Sequence, residues 1–238
     1  MKVSICGTGY VGLVSAVCFA EIGHDVICVD VDPSKVRLIN DGKAPFYEPG
    51  LELLLNKAVQ GGKLRATISM EEAIGLSEIT FIAVGTPFDG THIDLTFIEQ
   101  AARDIGNELK KKNDFHTVVV KSTVVPGTTE GLVKATLELV SGKKIGKEIG
   151  LGMNPEFLRE GEAIKDFLSP DRIVIGSEDQ KSKDVIKSVY SYFVDVSILE
   201  VNSRSAEMIK YASNCLFATL ISFSNEMANI ASSFGNID

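Results

Sequence analysis

The 238-residue chain is 45% hydrophobic and 24% charged, an ordinary globular composition with room for one large domain, or one domain plus part of another. Its 32 acidic against 24 basic side chains leave a formal net charge of −8, which argues against nucleic acid or an anionic membrane as the main partner. Any anionic ligand must then be held by local groups, that is by helix N-termini and a few lysines or arginines.

Taken in chain order, an apolar run at 2–6 enters a turn containing Gly7, Gly9 and Gly12. A helical pattern follows over 11–22, Gly23 stops it, and a second apolar run over 25–29 ends on Asp30. Strand, glycine turn, helix, strand and acid in that order form a dinucleotide-binding fingerprint. Gly7 permits the tight turn, Gly9 lets the backbone approach a pyrophosphate, and Gly12 lets the helix pack closely on the strand. The pyrophosphate is expected on the free N–H groups of the helix start, so Tyr10 and Val11 join the glycines as cofactor-binding residues. Asp30 can accept hydrogen bonds from a ribose hydroxyl pair and would repel a 2′-phosphate, which points to NAD rather than NADP. Asp30 also suits a strand-end turn, since Asp32 and Pro33 follow. Lys35 either borders the adenosine ribose or is a solvated surface lysine.

Further strands are expected at 66–68, 79–84, 117–121, 149–153, 172–175 and 197–200, and helices at about 34–40, 49–58, 95–111, 128–140 and 180–192. Several of the strand runs are continuously apolar, as for parallel strands buried on both faces. The alternation predicts an α/β fold, a doubly wound and mostly parallel sheet with ligands at the carboxyl ends of the strands. Beyond 202 the pattern changes. Ser203 or Ser205 can cap a long, largely apolar helix over 206–234, with Gly235 as its stop. Such a helix must be buried. One side can pack on the first domain. The other needs a second domain or a partner subunit, so a homodimer through this helix is expected.

Three motifs fall at strand ends. Val84-Gly85-Thr86-Pro87 offers close backbone approach at Gly85 and a hydroxyl at Thr86, or is a simple turn. In the stretch that begins Lys121-Ser122-Thr123, Ser122 and Thr123 are placed in the cleft beside the dinucleotide, where hydroxyls bind a ribose or nicotinamide or hold a catalytic water. Pro126 is expected to begin a helix there, with Thr128 or Thr129 near its start. In the Asn154-Pro-Glu-Phe-Leu-Arg-Glu stretch, Glu156 and Glu160 share a face if the segment is helical. One of them can act as a general base, or the stretch is a solvated acidic turn. Arg172 can pair with Asp166 or Asp171. On the long helix Lys210 and Asn214 share a face, and a lysine on a buried helix needs an anion unless Glu207 or Asn214 satisfies it. The four cysteines show no metal spacing, and no metal site is expected. Cys6, Cys18 and Cys28 are expected to be buried thiols. With a strand starting at residue 2 and no run long enough to span a bilayer, the expected location is the cytoplasm.

Together these motifs resemble the UDP-glucose/GDP-mannose dehydrogenase family of nucleotide-sugar 6-dehydrogenases. The matches are GTGYVG, Asp30, Gly-Thr-Pro, KSTVVPGTT, NPEFLREGEAIKDFLSPDRIVIG and EMIKYASN, spread in order over most of the chain. The resemblance implies an NAD-binding Rossmann domain over 1–202, the start of a central dimerisation helix over 203–238, and a nucleotide-sugar domain that this stretch lacks. It implies oxidation of a sugar C6 alcohol to a carboxylate. It assigns Asp30, Lys35, Thr86, Thr123 and Glu160 to NAD, Thr123 and Glu156 to the catalytic water, and Phe157, Leu158, Arg159 and Glu160 to the sugar site. Lys210 corresponds to the lysine near the reacting oxygen and Asn214 to its neighbour, so the catalytic set is Thr123, Glu156, Lys210 and Asn214. The Ser-Pro-Asp-Arg-Ile-Val-Ile-Gly stretch looks closer to the UDP-glucose branch than to the GDP-mannose enzymes. The family's nucleophilic cysteine motif is missing from these residues, and Cys215, inside the helix, is no substitute. This stretch alone is therefore expected to bind NAD without completing turnover, as an N-terminal part of the enzyme. Two other classes fit less of the sequence: a stand-alone NAD-binding and dimerisation module, and a 3-hydroxyacid-type dehydrogenase.

Overall fold

In the computed structural model, which describes residues 1–237, eight strands form one sheet. They are β1 (Lys2–Cys6), β2 (Asp25–Val29), β3 (Leu64–Thr67), β4 (Ile79–Ile82), β5 (His116–Val120), β6 (Ile149–Met153), β7 (Arg172–Gly176) and β8 (Ser197–Val201). Their spatial order is β3-β2-β1-β4-β5-β6-β7-β8. The first six are mutually parallel, while β7 meets β6 antiparallel and β8 runs parallel to β7. The sheet is thus doubly wound and mostly parallel. Its chain order reverses at β1, between β2 and β4, and a crevice opens at such a switch point beyond the strand ends.

The helices are α1 (Tyr10–Glu21), α2 (Pro33–Asn40), α3 (Leu51–Gln60), α4 (Met70–Leu76), α5 (Thr96–Leu109), α6 (Lys134–Ser141), α7 (Ala163–Leu168), α8 (Gln180–Val189) and α9 (Ser203–Phe234). Helix α1 is buried continuously from Gly12 to Ala20 because it lies between the sheet and α3 and α7. Its Phe19 ring stands 5.1 Å from those of both Phe81 and Phe167, which ties α1, β4 and α7 into one core. Periodicity does not reveal α4 and α7, which span 7 and 6 residues. A local signal for α4 does exist: Ser69 accepts from the Glu72 amide, half of a capping box.

Helix α9 starts earlier than its apolar pattern. Asn202 caps it by accepting from the Ser205 amide at 2.7 Å, so neither Ser203 nor Ser205 is the cap. Ser203, Ala206, Glu207 and Lys210 are buried against β7 and its neighbours. The approach is close because Gly176 has no side chain: a Cβ there would lie 2.7 Å from the Ala206 Cβ. Beyond these turns the helix leaves the sheet. Leu216, Phe217, Leu220, Ile221 and Phe223 are each at least half exposed, so the domain does not cover one side of the helix along its length. Among the described residues no helix is long and apolar enough to cross a membrane.

Candidate functional site

The turn after β1 depends on two missing side chains. Gly7 has φ +98°, and a Cβ there would lie 2.7 Å from the Ala83 carbonyl oxygen. A Cβ on Gly12 would lie 2.0 Å from the Gly7 carbonyl oxygen. Above Gly9 the space is open, with nothing within 4 Å of an added Cβ. Asp32 caps α2 and Asp179 caps α8 with side-chain acceptors, whereas α1 has no side-chain cap and no acidic residue in its first turn. Its leading amides, at Tyr10, Val11 and Gly12, are left for an external anion, which is what a dinucleotide pyrophosphate supplies.

Asp30 lies beside this turn and is almost wholly buried. One carboxylate oxygen accepts from the Thr8 amide at 2.9 Å and from the Thr8 hydroxyl, and the other accepts from the Asp32 amide at 3.0 Å. Burial pushes this carboxyl up, but the Thr8 and Asp32 hydrogen bonds outweigh burial and hold it below the usual carboxylate value. The ionised group keeps lone pairs for a ribose hydroxyl while it braces the turn. Lys35, half-buried in α2, adds a favourable charge.

The loops after β4 and β5 are laced together. The Thr86 hydroxyl donates to the Thr123 carbonyl at 2.8 Å, and the Ser122 hydroxyl donates to the Val84 carbonyl at 2.7 Å. Ser122 is buried with its proton spent on backbone, so its hydroxyl is not turned freely into the cleft as expected. Gly85 is exposed with open space above it, and Thr123 is half-buried. The helix expected from Pro126 begins instead with a π-turn at Thr129–Val133. Its leading amides are already taken: Gly127 and Thr129 donate to the buried Glu207 carboxylate at 2.5 and 2.8 Å. Burial raises that carboxyl, and the same amides oppose the rise. Glu207 therefore fastens α9 to this loop rather than neutralising Lys210.

The partner of Lys210 is Glu156, at 2.8 Å, with side-chain exposures of 6% and 12%. Residues 154–160 are not helical, so Glu156 and Glu160 do not share a helix face. Glu156 turns inward and also accepts from the Leu158 amide at 2.7 Å, while Glu160 is exposed. Asn214 is exposed one turn beyond the buried Lys210. Arg172 pairs with neither Asp166 nor Asp171. Its guanidinium lies 4.5 Å from the Phe157 ring centre, and Asp166 is held by Arg159. A cavity of about 440 Å³ opens here, lined by Lys121, Glu156, Phe157, Leu158, Arg172 and Phe217 among others. Among the described residues no cluster of three or more His, Cys, Asp or Glu side chains is arranged to hold a metal ion.

Two buried charges escape a reading by motif. Lys121 is 3% exposed and donates to the Asn154 side-chain carbonyl at 2.9 Å, an acceptor it shares with the Tyr190 hydroxyl. Burial lowers its ammonium from 10.5 to about 8, with Glu156 opposing the shift and Lys210 adding to it. Glu48 is 5% exposed and accepts from the Tyr10 hydroxyl at 2.6 Å and from the Gly161 and Ala163 amides at 2.8 Å each. Burial raises the Glu48 carboxyl, and these donors together hold it below its ordinary value. Lys121 opens a motif already singled out. Glu48 sits in Tyr47-Glu48-Pro49-Gly50, which reads as a turn.

Residues 1–194 match the UDP-glucose/GDP-mannose dehydrogenase family, NAD binding domain, and residues 204–238 match the central domain of the same family. The chain is 48% identical over 236 residues to GDP-mannose 6-dehydrogenase of Pseudomonas syringae pv. tomato, covering 99% of this chain and 54% of that protein. It is 44% identical to UDP-glucose 6-dehydrogenase of Haloferax volcanii, covering 99% and 55%. Its fold is similar to that in a ternary complex of GDP-mannose dehydrogenase from Pseudomonas aeruginosa, with TM-score 0.96 and 45% identity over 99% of this chain and 54% of that one. It is also similar to a UDP-glucose dehydrogenase from Pyrobaculum islandicum, with TM-score 0.89 and 47% identity over 95% and 52%. The chain spans about half the length of the curated relatives it matches. Identity does not separate the two sugar branches.

Lys121 gives the site a pH signature. An amine whose folded value lies below its unfolded one is a liability while charged, and stability rises as pH climbs from the folded value to the unfolded one. Lys121→Met is expected to be more stable than the unmodified chain at neutral pH. Its advantage should shrink between pH 8 and 10.5, by up to about 3 kcal/mol. Urea unfolding at a series of pH values reads this difference, and a pH-independent gap would contradict the assignment.

Proposed function

The chain belongs to the UDP-glucose/GDP-mannose dehydrogenase family, and we propose that it is the NAD-binding part of a nucleotide-sugar 6-dehydrogenase that oxidises a sugar C6 alcohol to the carboxylate. The observation that carries this reading is the Lys210–Glu156 pair, enclosed by the fold, with Glu156 lining the same cavity as Phe157 and Leu158. Residues 1–202 act as the NAD unit and 203–238 as the start of a dimerisation region.

Alcohol to carboxylate is a four-electron oxidation, so two NAD molecules in succession would each take one hydride from the substrate. Gly7, Gly9, Tyr10, Val11 and Gly12 hold the cofactor's pyrophosphate, Asp30 and Lys35 its adenosine ribose, and Gly85, Thr86, Ser122, Thr123 and Glu160 flank the rest. The Lys210 ammonium stabilises negative charge developing on the sugar oxygen, an effect magnified by exclusion of water. Glu156, within hydrogen-bond reach of that ammonium, takes a proton from the water that completes the acid, with Thr123 helping to hold it. Phe157 to Glu160, with Asn214, line the sugar. The favoured substrate is UDP-glucose, a choice that rests on the 169–176 stretch. GDP-mannose is the alternative that the named relatives raise. Buried free thiols at Cys6, Cys18 and Cys28 suit a reducing, cytoplasmic setting.

The exposed apolar side chains along α9 support self-association. A contiguous apolar surface on a helix that leaves its own domain is costly in water. A second copy of the chain is the partner proposed.

The protein purified from its native source is expected to form NADH with UDP-glucose, and absence of NADH with both UDP-glucose and GDP-mannose would contradict the proposed activity. Asp30→Ala should weaken NAD binding to this chain about 10- to 100-fold, as for loss of hydrogen bonds to a charged group, and narrow the preference over NADP. Calorimetric affinities equal to those of the unmodified chain would remove Asp30 from the site. Leu220→Lys is expected to shift the chain toward monomer in sedimentation velocity, and an unchanged species distribution would show that α9 is not the interface.

A further inference from the structure

The Glu48 clamp joins two parts of the site that no strand or helix connects. Tyr10 is the first residue of α1, directly after Gly9 of the dinucleotide turn. Its ring packs 5.4 Å from Phe46 and its hydroxyl reaches Glu48. On its other side Glu48 receives the Gly161 and Ala163 amides, where the irregular 154–162 segment enters α7. Three donors converge on two carboxylate oxygens. Only an ionised carboxylate satisfies all three. A glutamine would place an NH₂ against one of the donors, and aspartate is a methylene too short. Besides this clamp, Asn154 is hydrogen-bonded to Lys121, Val174 and Tyr190 at the start of the segment, and the Glu156–Lys210 and Arg159–Asp166 pairs hold its middle.

We propose that Glu48 is a positioning residue that couples cofactor occupancy of the glycine turn to ordering of the 156–163 segment. The link runs from Tyr10 through the Glu48 carboxylate to the Gly161 and Ala163 amides. The inference rests on the dinucleotide reading of the turn and on the sugar-site reading of the segment. A pyrophosphate on the α1 amides fixes Tyr10, the fixed hydroxyl holds Glu48, and Glu48 then holds the segment that carries Glu156 to Glu160. Because coupling free energies are reciprocal, a ligand on the segment would in turn tighten NAD.

Hydrogen exchange of this chain, with and without NAD at a calorimetrically verified saturating concentration, tests the coupling. In the unmodified chain NAD is expected to slow exchange at the Gly161 and Ala163 amides by at least about fivefold, the low end of typical couplings. In Tyr10→Phe the clamp on those amides remains while the link to the turn is cut, so their exchange should not respond to NAD. In Glu48→Gln they should exchange fast in both states. A purely structural clamp would make these amides insensitive to NAD in the unmodified chain, which would overturn the proposal. So would an equal NAD response in Tyr10→Phe, a comparison that stands even if Glu48→Gln does not fold. Failure of the unmodified chain to bind NAD would instead strike the cofactor reading, and this proposal with it.

Discussion

The close backbone contact at the end of β1 is the constraint on which the rest of the molecule is built. The Gly7 and Gly12 positions admit no side chain, since a Cβ at either would collide with a carbonyl oxygen. That contact draws α1 onto the β1–β4 junction and leaves its leading amides uncapped by any side chain. It also sets Ala83, and with it the loop to Gly85 and Thr86, against the turn. Asp30 braces the same turn from β2 through Thr8. A position that collects uncapped amides, a braced acid and open space above Gly9 is suited to an anionic dinucleotide, and the overall charge of −8 makes such local provision necessary.

A second region, around Lys210, is organised by charge buried inside protein. Removing Lys210, Glu156 and Lys121 from water costs free energy, and pairing returns only part of it. Buried ion pairs are therefore weak evidence of a purely stabilising role, and sets of them in a cleft are candidates for chemistry. The fold holds this arrangement with a second buried acid. Glu207 sits one helical turn before Lys210 and receives the Gly127 and Thr129 amides, which fixes the first turns of α9 against the loop that carries Thr123. Gly176 makes the approach close enough for this. Past Lys210 the helix draws away from the domain, with Ser213 and Phe217 still bordering the cavity, and Leu216, Leu220 and Phe223 are exposed to solvent.

The sequence was most legible where local pattern and local chemistry coincide. The β1, β2 and β6 bounds follow from short apolar runs that stop at Gly7, Asp30 and Asn154, and the fingerprint specifies its own geometry. Reading faltered where a residue's partner is distant in the chain. Glu48 meets Gly161 across 113 positions, and Lys121 meets Asn154 across 33, so neither contact has a period to betray it. The i,i+4 spacing of Glu156 and Glu160 suggested a shared helical face, but backbone 154–160 is irregular and Glu156 answers to Lys210 instead. Likewise Glu207 stood as a candidate partner of Lys210 until the Gly127 and Thr129 amides were seen to take it. The α9 cap moved from Ser203 or Ser205 to Asn202 because packing on β7 begins before the apolar pattern does.

A crystal structure of this chain grown with NAD bears most directly on the central claim, that the glycine turn and the Lys210–Glu156 wall form one site. The pyrophosphate is expected on the amides at the start of α1, a ribose on Asp30, and the nicotinamide end directed toward Thr123 and Glu156. A cofactor bound elsewhere, or seated on the turn with its nicotinamide directed away from Lys210 and Glu156, would contradict it.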